Sequence, residues 1–266
     1  MNDNTNKNII STKDTELADQ NLLATYRYFG MQTIQMAGVN YHLLKTGCKH
    51  PFWNMFILPE SIDSKIMDEL ENIFKSQKLP FAWWVDENKI SNYMKERLES
   101  RNYSCFGDVP GMVIDLTNHQ ERLPNDLGSI QIRPVTSSKD FGEWVSVLME
   151  CFGFGSDVYN LYINKFLDLL GKDDIFIPFA AYDDKKIVAT ASIIFIDGIA
   201  GFYNGSTLPE CRNFGIASSL YHTRFKMLKQ LKIPKAFIQT SPMSTSIAQK
   251  AGFHIVKNYK LYYGAR

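Results

Sequence analysis

The chain has 266 residues, more than the roughly 100 to 200 of an average domain, which points to two units rather than one. Hydrophobic residues make up 45% and aromatic residues 13%, enough apolar material to exclude a disordered or low-complexity chain. The 29 Lys and Arg against 28 Asp and Glu leave a net charge of +1, so no global field favours nucleic acid or an anionic membrane surface.

Residues 1–15 are rich in Asn and Thr and lack the basic, apolar and small-residue order of a secretory leader, so they read as a flexible tail on a cytoplasmic protein. Leu17, Leu22, Leu23, Tyr26 and Phe29 then fall on one stripe of a helix over 16–29. Residues 41–44 and 53–58 read as short strands, 62–74 as a helix, 81–85 (FAWWV) as a buried strand, 89–100 as a helix and 112–116 as a strand. These make a first α/β unit over 16–118. Residues 119–129 lose all hydrophobic periodicity and contain Pro124 and Gly128, which marks a linker.

The second unit, 130–266, opens with a strand over 130–135, a Ser-capped helix over 138–151, a Gly-broken turn and a helix over 158–170. Strands over 175–182, 186–196 and 199–208 form a meander. Its second turn, Asp197-Gly198, is a hairpin dipeptide that also interrupts the most apolar run of the chain, so that run is two strands and not a membrane span. A long helix over 215–231, a strand over 236–240, a short helix over 244–251 and a strand over 254–263 complete the chain. The two units end alike, Trp83-Trp84 and Asn102-Tyr103 in the first answering Ile238-Gln239 and Gly252-Phe253 in the second, which suggests an internal repeat.

Cys48, Cys105, Cys151 and Cys211 are widely spaced with no C-x-x-C pair and read as free thiols of a reducing compartment. His42, His50, His119, His222 and His254 show no metal-ligand spacing, so no metal is expected.

The run from Gly201 to Ala217 carries the chemistry. A strand feeds a turn and then a long helix, whose start offers unpaired N–H groups and the positive end of its dipole. Gly215 has no side chain and Ala217 only a methyl, so a diphosphate can approach the backbone there, with Arg212 adding charge at the rim. Arg212-x-x-Gly215-x-Ala217 matches the (Gln/Arg)-x-x-Gly-x-(Gly/Ala) signature of the GCN5-related N-acetyltransferase superfamily. Leu208-Pro209-Glu210 before it, and Gln239-Thr240-Ser241-Pro242-Met243 and Lys250-Ala251-Gly252-Phe253 after it, also resemble that family. The resemblance covers about 130–266.

The resemblance implies a mixed, mostly antiparallel splayed sheet flanked by helices, with acetyl-CoA lying in the splay like a missing strand. Ser206, Thr207 and Leu208 would bond the pantetheine arm, the Leu208 N–H would hold the thioester carbonyl, and Arg212, Asn213, Phe214, Gly215, Ile216, Ala217 and Ser218 would hold the diphosphate. The implied activity is transfer of an acetyl group to a primary amine. The family's usual proton donor is a Tyr five positions before the Phe of the Gly-Phe pair, and here that position is Ala248. Ser241, Ser244 and Ser246 stand near as substitutes, each equally suited to capping a helix. For a base, Glu150, Asp157 and Asp197 are conceivable, each also readable as a surface carboxylate. Tyr203 or Asn204 would face substrate by strand alternation, and Tyr203 is favoured. His222, Cys151 and Cys211 read as packing residues, and Trp83 and Trp84 as core or an aromatic wall.

In the first unit the turn after Leu58, residues 59–63 (PESID), puts carboxylates where phosphates would sit, so that unit is not expected to bind the coenzyme. Two other readings stay open: a non-catalytic CoA-binding or regulatory module, and a scaffold that does neither. The identity of the amine and the oligomeric state are not legible.

Overall fold

The computed structural model describes residues 12–58, 62–120, 127–172 and 175–264. Residues 1–11 of the expected tail, 121–126 of the expected linker and 59–61 of the carboxylate-bearing turn lie outside the described residues. The first half runs α1 (Thr12–Tyr28), β1 (Gln32–Met36), β2 (Val39–Lys45), β3 (Asn54–Ile57), α2 (Ser64–Lys75), β4 (Ala82–Asp86), α3 (Asn92–Ser100) and β5 (Tyr103–Asp115). The second runs β6 (Gln131–Pro134), α4 (Ser138–Phe152), α5 (Ser156–Phe166), β7 (Phe176–Asp183), β8 (Lys186–Ile196), β9 (Ile199–Thr207), α6 (Ile216–Gln230), β10 (Lys235–Gln239), α7 (Pro242–Ala251) and β11 (His254–Gly264).

Helix starts follow local chemistry: the side chains of Asp63, Ser91 and Ser137 accept from the N–H of Ile66, Met94 and Asp140 at 2.8, 3.1 and 3.1 Å. Helix α1 begins four residues before the expected 16. Strand β1, which sequence reading misses, is an exposed edge strand without a strong apolar alternation, turned into β2 at Ala37-Gly38 with both φ positive. Strand β5 begins at Tyr103, not 112. The Gly107, Pro110 and Gly111 that mask it in sequence lie in the stretch where its pairing with β11 carries two register shifts, a place where such residues are tolerated.

All described strands form one sheet in the order β1-β2-β3-β4-β11-β5-β10-β9-β8-β7-β6. Every neighbouring pair is antiparallel except β3 with β4 and β9 with β10. Apart from the additional edge strand β6, the order is symmetric about the β11–β5 pair, and each half's last strand sits among the strands of the other half. None of the described helices is long and apolar enough to cross a membrane.

Two aromatic cores result. In the first half Trp83 stacks on Phe56 (4.4 Å between centroids) and Phe74 on Phe81 (5.0 Å); Trp83 is fully buried, so the Trp pair is core. In the second half Trp144 of α4 donates to the Phe179 carbonyl at 2.8 Å. Helix α1 crosses the middle of the sheet and is held by charge: Asp14 meets Lys235 at 2.7 Å, and Asp19 meets the Tyr259 hydroxyl at 2.8 Å and Lys257. Lys257, itself buried, also meets the buried Asp86 at 2.8 Å. Removing one partner of a buried ion pair strands the other charge. Lys257→Met is therefore expected to lower the unfolding free energy by about 3 to 5 kcal/mol in urea titrations; a loss under about 1 kcal/mol would show that this cluster is not what fixes α1.

Candidate functional site: a fork between two parallel strands

Strands β9 and β10 are paired only at Ala200 with Ala236 and Gly201 with Phe237, and then part. The cause lies on the other side of β9. Its register with β8 jumps from Tyr203 opposite Ser192 to Ser206 opposite Thr190, so Asn204 and Gly205 together face Ala191. Asn204 takes a positive φ of 57°, tolerable for Asn, and is fixed by the Tyr162 hydroxyl donating to its Oδ1 (2.7 Å) and by its Nδ2 donating to Ser192 Oγ (2.9 Å). A bulge bends its strand and turns the residues beyond it in a new direction.

The bulge also decides which amides face the gap. The Leu208 N–H donates to the Val188 carbonyl at 3.0 Å, so it is turned into the sheet and is not the donor expected for a thioester carbonyl. The one-residue shift reverses the alternation, and the Thr207 N–H lies on the open side instead. The side chain of Ser206 shares a hydrogen bond with Thr190 Oγ1 (2.7 Å).

Past β9, a short 3-10 turn (Pro209–Cys211) leads to Arg212, then to Asn213 and Gly215 with φ of 68° and 84°. Gly215 occupies the cap position of α6 with no side chain to satisfy the helix start. None of the N–H groups of Asn213, Phe214, Gly215, Ile216, Ala217 and Ser218 has an acceptor among the described residues; the next, Ser219, donates to the Gly215 carbonyl at 3.1 Å. Consecutive free amides at a helix start form a concave, positively polarised cradle suited to phosphate. Arg212 stays exposed with its Nε on the Thr207 carbonyl (3.0 Å), so its charge sits between the end of β9 and the cradle. Phe214 is 67% exposed and leaves the cradle uncovered.

Tyr203 lies at the fork, its hydroxyl 2.6 Å from Asn21 Oδ1 of α1 and 3.1 Å from Gln239 Oε1 at the end of β10. Burial pushes its phenol up from the ordinary value, with Thr25 opposing, so it is a neutral group near pH 7 and not a base. Ser241 opens α7 without a side-chain cap; its hydroxyl is 3.0 Å from Ser244 Oγ, which also lies 3.1 Å from the Ser241 carbonyl. Ser246 is exposed, and Ala248 is buried in the place of the missing Tyr.

Of the three carboxylates weighed as bases, Asp157 is engaged by the N–H groups of Lys49 (2.5 Å) and Val158 (2.9 Å), Glu150 is exposed at the end of α4, and Asp197 sits in the β8–β9 hairpin beyond the closed end of the fork. Burial pushes the Cys151 thiol up, against Ser206 and Arg212, and burial followed by Glu210 does the same at Cys211, so neither is an activated nucleophile. His222 packs edge-on to Phe225 (6.2 Å), as expected of a packing residue. Sequence reading misses Arg224, buried over the rings of Phe202 (4.1 Å) and Tyr221 (4.7 Å), where burial lowers its value to about 10. It also misses Asn21, whose partner is 182 residues away.

The first half offers no equivalent opening among its described residues. Strands β3 and β4 stay paired at Met55–Ala82, Phe56–Trp83 and Ile57–Trp84, and the Leu58 N–H still donates to the Trp84 carbonyl at 2.7 Å. What it contributes is a wall: Phe52, Phe106 and His50 gather beside Phe154 of the α4–α5 turn, with His50 4.8 Å from Phe154 and 4.9 Å from Phe52.

No family model and no curated protein sequence matches the chain. Solved structures do. A GCN5-related N-acetyltransferase from Kribbella flavida superposes with a TM-score of 0.67 over 94% of this chain and 96% of its own, at 11% identity. A conserved protein of unknown function from Staphylococcus epidermidis gives 0.63 over 89% and 94%, at 15% identity. A GCN5-related N-acetyltransferase from Sphaerobacter thermophilus gives 0.60 over 75% and 66%, at 15% identity. The chain has the GCN5-related N-acetyltransferase fold, in agreement with the signature around Gly215.

A side chain at Gly215 must adopt a left-handed backbone, at a cost of about 1 to 2 kcal/mol. Gly215→Ala is expected to lose that much stability in urea; no loss would mean that the turn relaxes to another shape.

Proposed function

We propose that the chain transfers an acetyl group from acetyl-CoA to a primary amine. The supporting observation is the coincidence, at the end of one strand, of a parting β9–β10 pair and the six unpartnered amides of residues 213–218. A diphosphate in that cradle sends the pantetheine arm along β9 past Thr207 and Ser206. The Thr207 N–H bonds that arm at the mouth of the fork, and the sulfur with its acetyl group lies deeper, towards the point where β9 rejoins β10.

In the reaction, the amine lone pair attacks the carbonyl carbon and forms the C–N bond. The tetrahedral centre expels the sulfur with its bonding electrons, and the proton lost by the amine passes to solvent while the thiolate gains one. A thiolate is a competent leaving group without prior protonation, so a site lacking the usual Tyr can still turn over. We take Ser241, which opens α7 just beyond β10, as the hydroxyl that assists departure. We take the chain as two units, 16–118 and 130–266, joined by 119–129, with the first unit closing the acceptor side; the mirrored strand order and the aromatic wall support this. A second reading, a module that binds CoA without turnover, is favoured by buried Ala248.

Calorimetry is expected to show acetyl-CoA binding that Gly215→Glu weakens at least about tenfold, or about 1.4 kcal/mol, by placing a carboxylate against the diphosphate. Unchanged affinity would put the phosphates elsewhere. Thiol release with a panel of amines separates the two readings: turnover is expected, and tight binding without release would establish the non-catalytic module. Ser241→Ala is expected to lower kcat at pH 7 more than about tenfold; an unchanged kcat would leave departure to solvent.

A further inference from the structure

A thioester anchored at residues 213–218 runs back along β9 towards Gly201, where β9 rejoins β10. At about 3.3 Å per residue, the strand from Thr207 to Gly201 gives the arm about 20 Å before the gap closes. Whatever fills that closing point sets how much chain fits beyond the sulfur. On the α6 side it is Phe202, 1% exposed and packed at 5.7 Å against Phe225 and 5.8 Å against Phe253.

On the α1 side it is Tyr203. A Cβ placed on Gly201 would lie 2.3 Å from Tyr203 Cε2 and 2.7 Å from Asn21 Nδ2, so the ring rests directly on the Gly201 backbone and any larger residue there would displace it. The hydroxyl then reaches over to β10, touching Asn21 at 2.6 Å and Gln239 at 3.1 Å. Tyr203 thus lies across the closing point, fixed at its ring by Gly201 and at its tip by a helix and by the opposite strand.

Resting on the coenzyme reading above, we propose that Tyr203 is the floor of the acyl pocket and restricts the transferred group to short chains such as acetyl. The phenol acts by volume and position rather than by proton transfer. Gly201 gives it room to lie flat, while Asn21 and Gln239 keep it from swinging aside.

The test is calorimetric binding of CoA, acetyl-CoA and hexanoyl-CoA to the full chain and its variants. The wild-type protein is expected to bind hexanoyl-CoA at least about tenfold more weakly than acetyl-CoA. Tyr203→Phe, which keeps the ring, should retain that ratio. Tyr203→Ala should bring it within about threefold while CoA affinity holds, and Tyr203→Leu, which keeps an apolar body over Gly201, should relax it in the same direction if the alanine variant does not fold. Equal wild-type affinity for both thioesters, or a ratio unmoved in the folded Ala or Leu variant, overturns the proposal and leaves the coenzyme reading standing. Absence of CoA binding in every form overturns both.

Discussion

The candidate site depends on two parallel strands that pair for two residues and then separate. Parallel neighbours cannot be joined by a tight turn and need a crossover, here α6. The same connection that lets β9 and β10 lie side by side therefore brings a helix start to the end of β9, next to the gap. The bulge at Asn204 and Gly205 aims β9 away from β10, and the glycine cap at Gly215 leaves the first amides of α6 without partners. An unfilled strand position and an unfilled anion cradle arise together from one strand–turn–helix unit, and a ligand with an extended polar arm and a diphosphate meets both.

The first half shows what happens without the bulge. Strands β3 and β4 are also parallel and also joined through a helix, α2, yet they remain paired to the end of β3, with Phe56 and Trp83 stacked across the pair. Helix α2 carries a side-chain cap, Asp63, where α6 has Gly215. A carboxylate that accepts the Ile66 N–H puts negative charge at the helix start and removes one of the free donors, the reverse of what a phosphate needs. Mirrored topology has thus produced one open fork and one closed one, and the closed half supplies the central strand β5, the crossing helix α1 and the aromatic wall.

Legibility in the sequence tracks the range of the interactions. The hairpin at Asp197-Gly198, the capped start of α4 and the Arg212-to-Ala217 turn are local, and their residues announce them. The exchange of β5 and β11 depends on pairing between residues more than about a hundred positions apart, which no window of sequence contains. Leu208 misleads for a subtler reason: its role is what the family resemblance implies, and a motif match does not register the bulge at Asn204 and Gly205 that decides which amides of β9 face outward. Alternation does turn Tyr203 inward, but Asn21, which holds it, lies on a helix whose stripe of leucines advertises only packing.

Whether the amides of residues 213–218 with that of Thr207 receive the coenzyme is tested most directly by amide NMR of the nitrogen-15-labelled protein titrated with CoA. Large shifts are expected at Asn213 to Ser218 and at Thr207, with the Leu208 amide protected from exchange before any ligand is added. Shifts centred on the α2 start at Ser64, or a titration that leaves Gly215 and its neighbours unmoved, would contradict it.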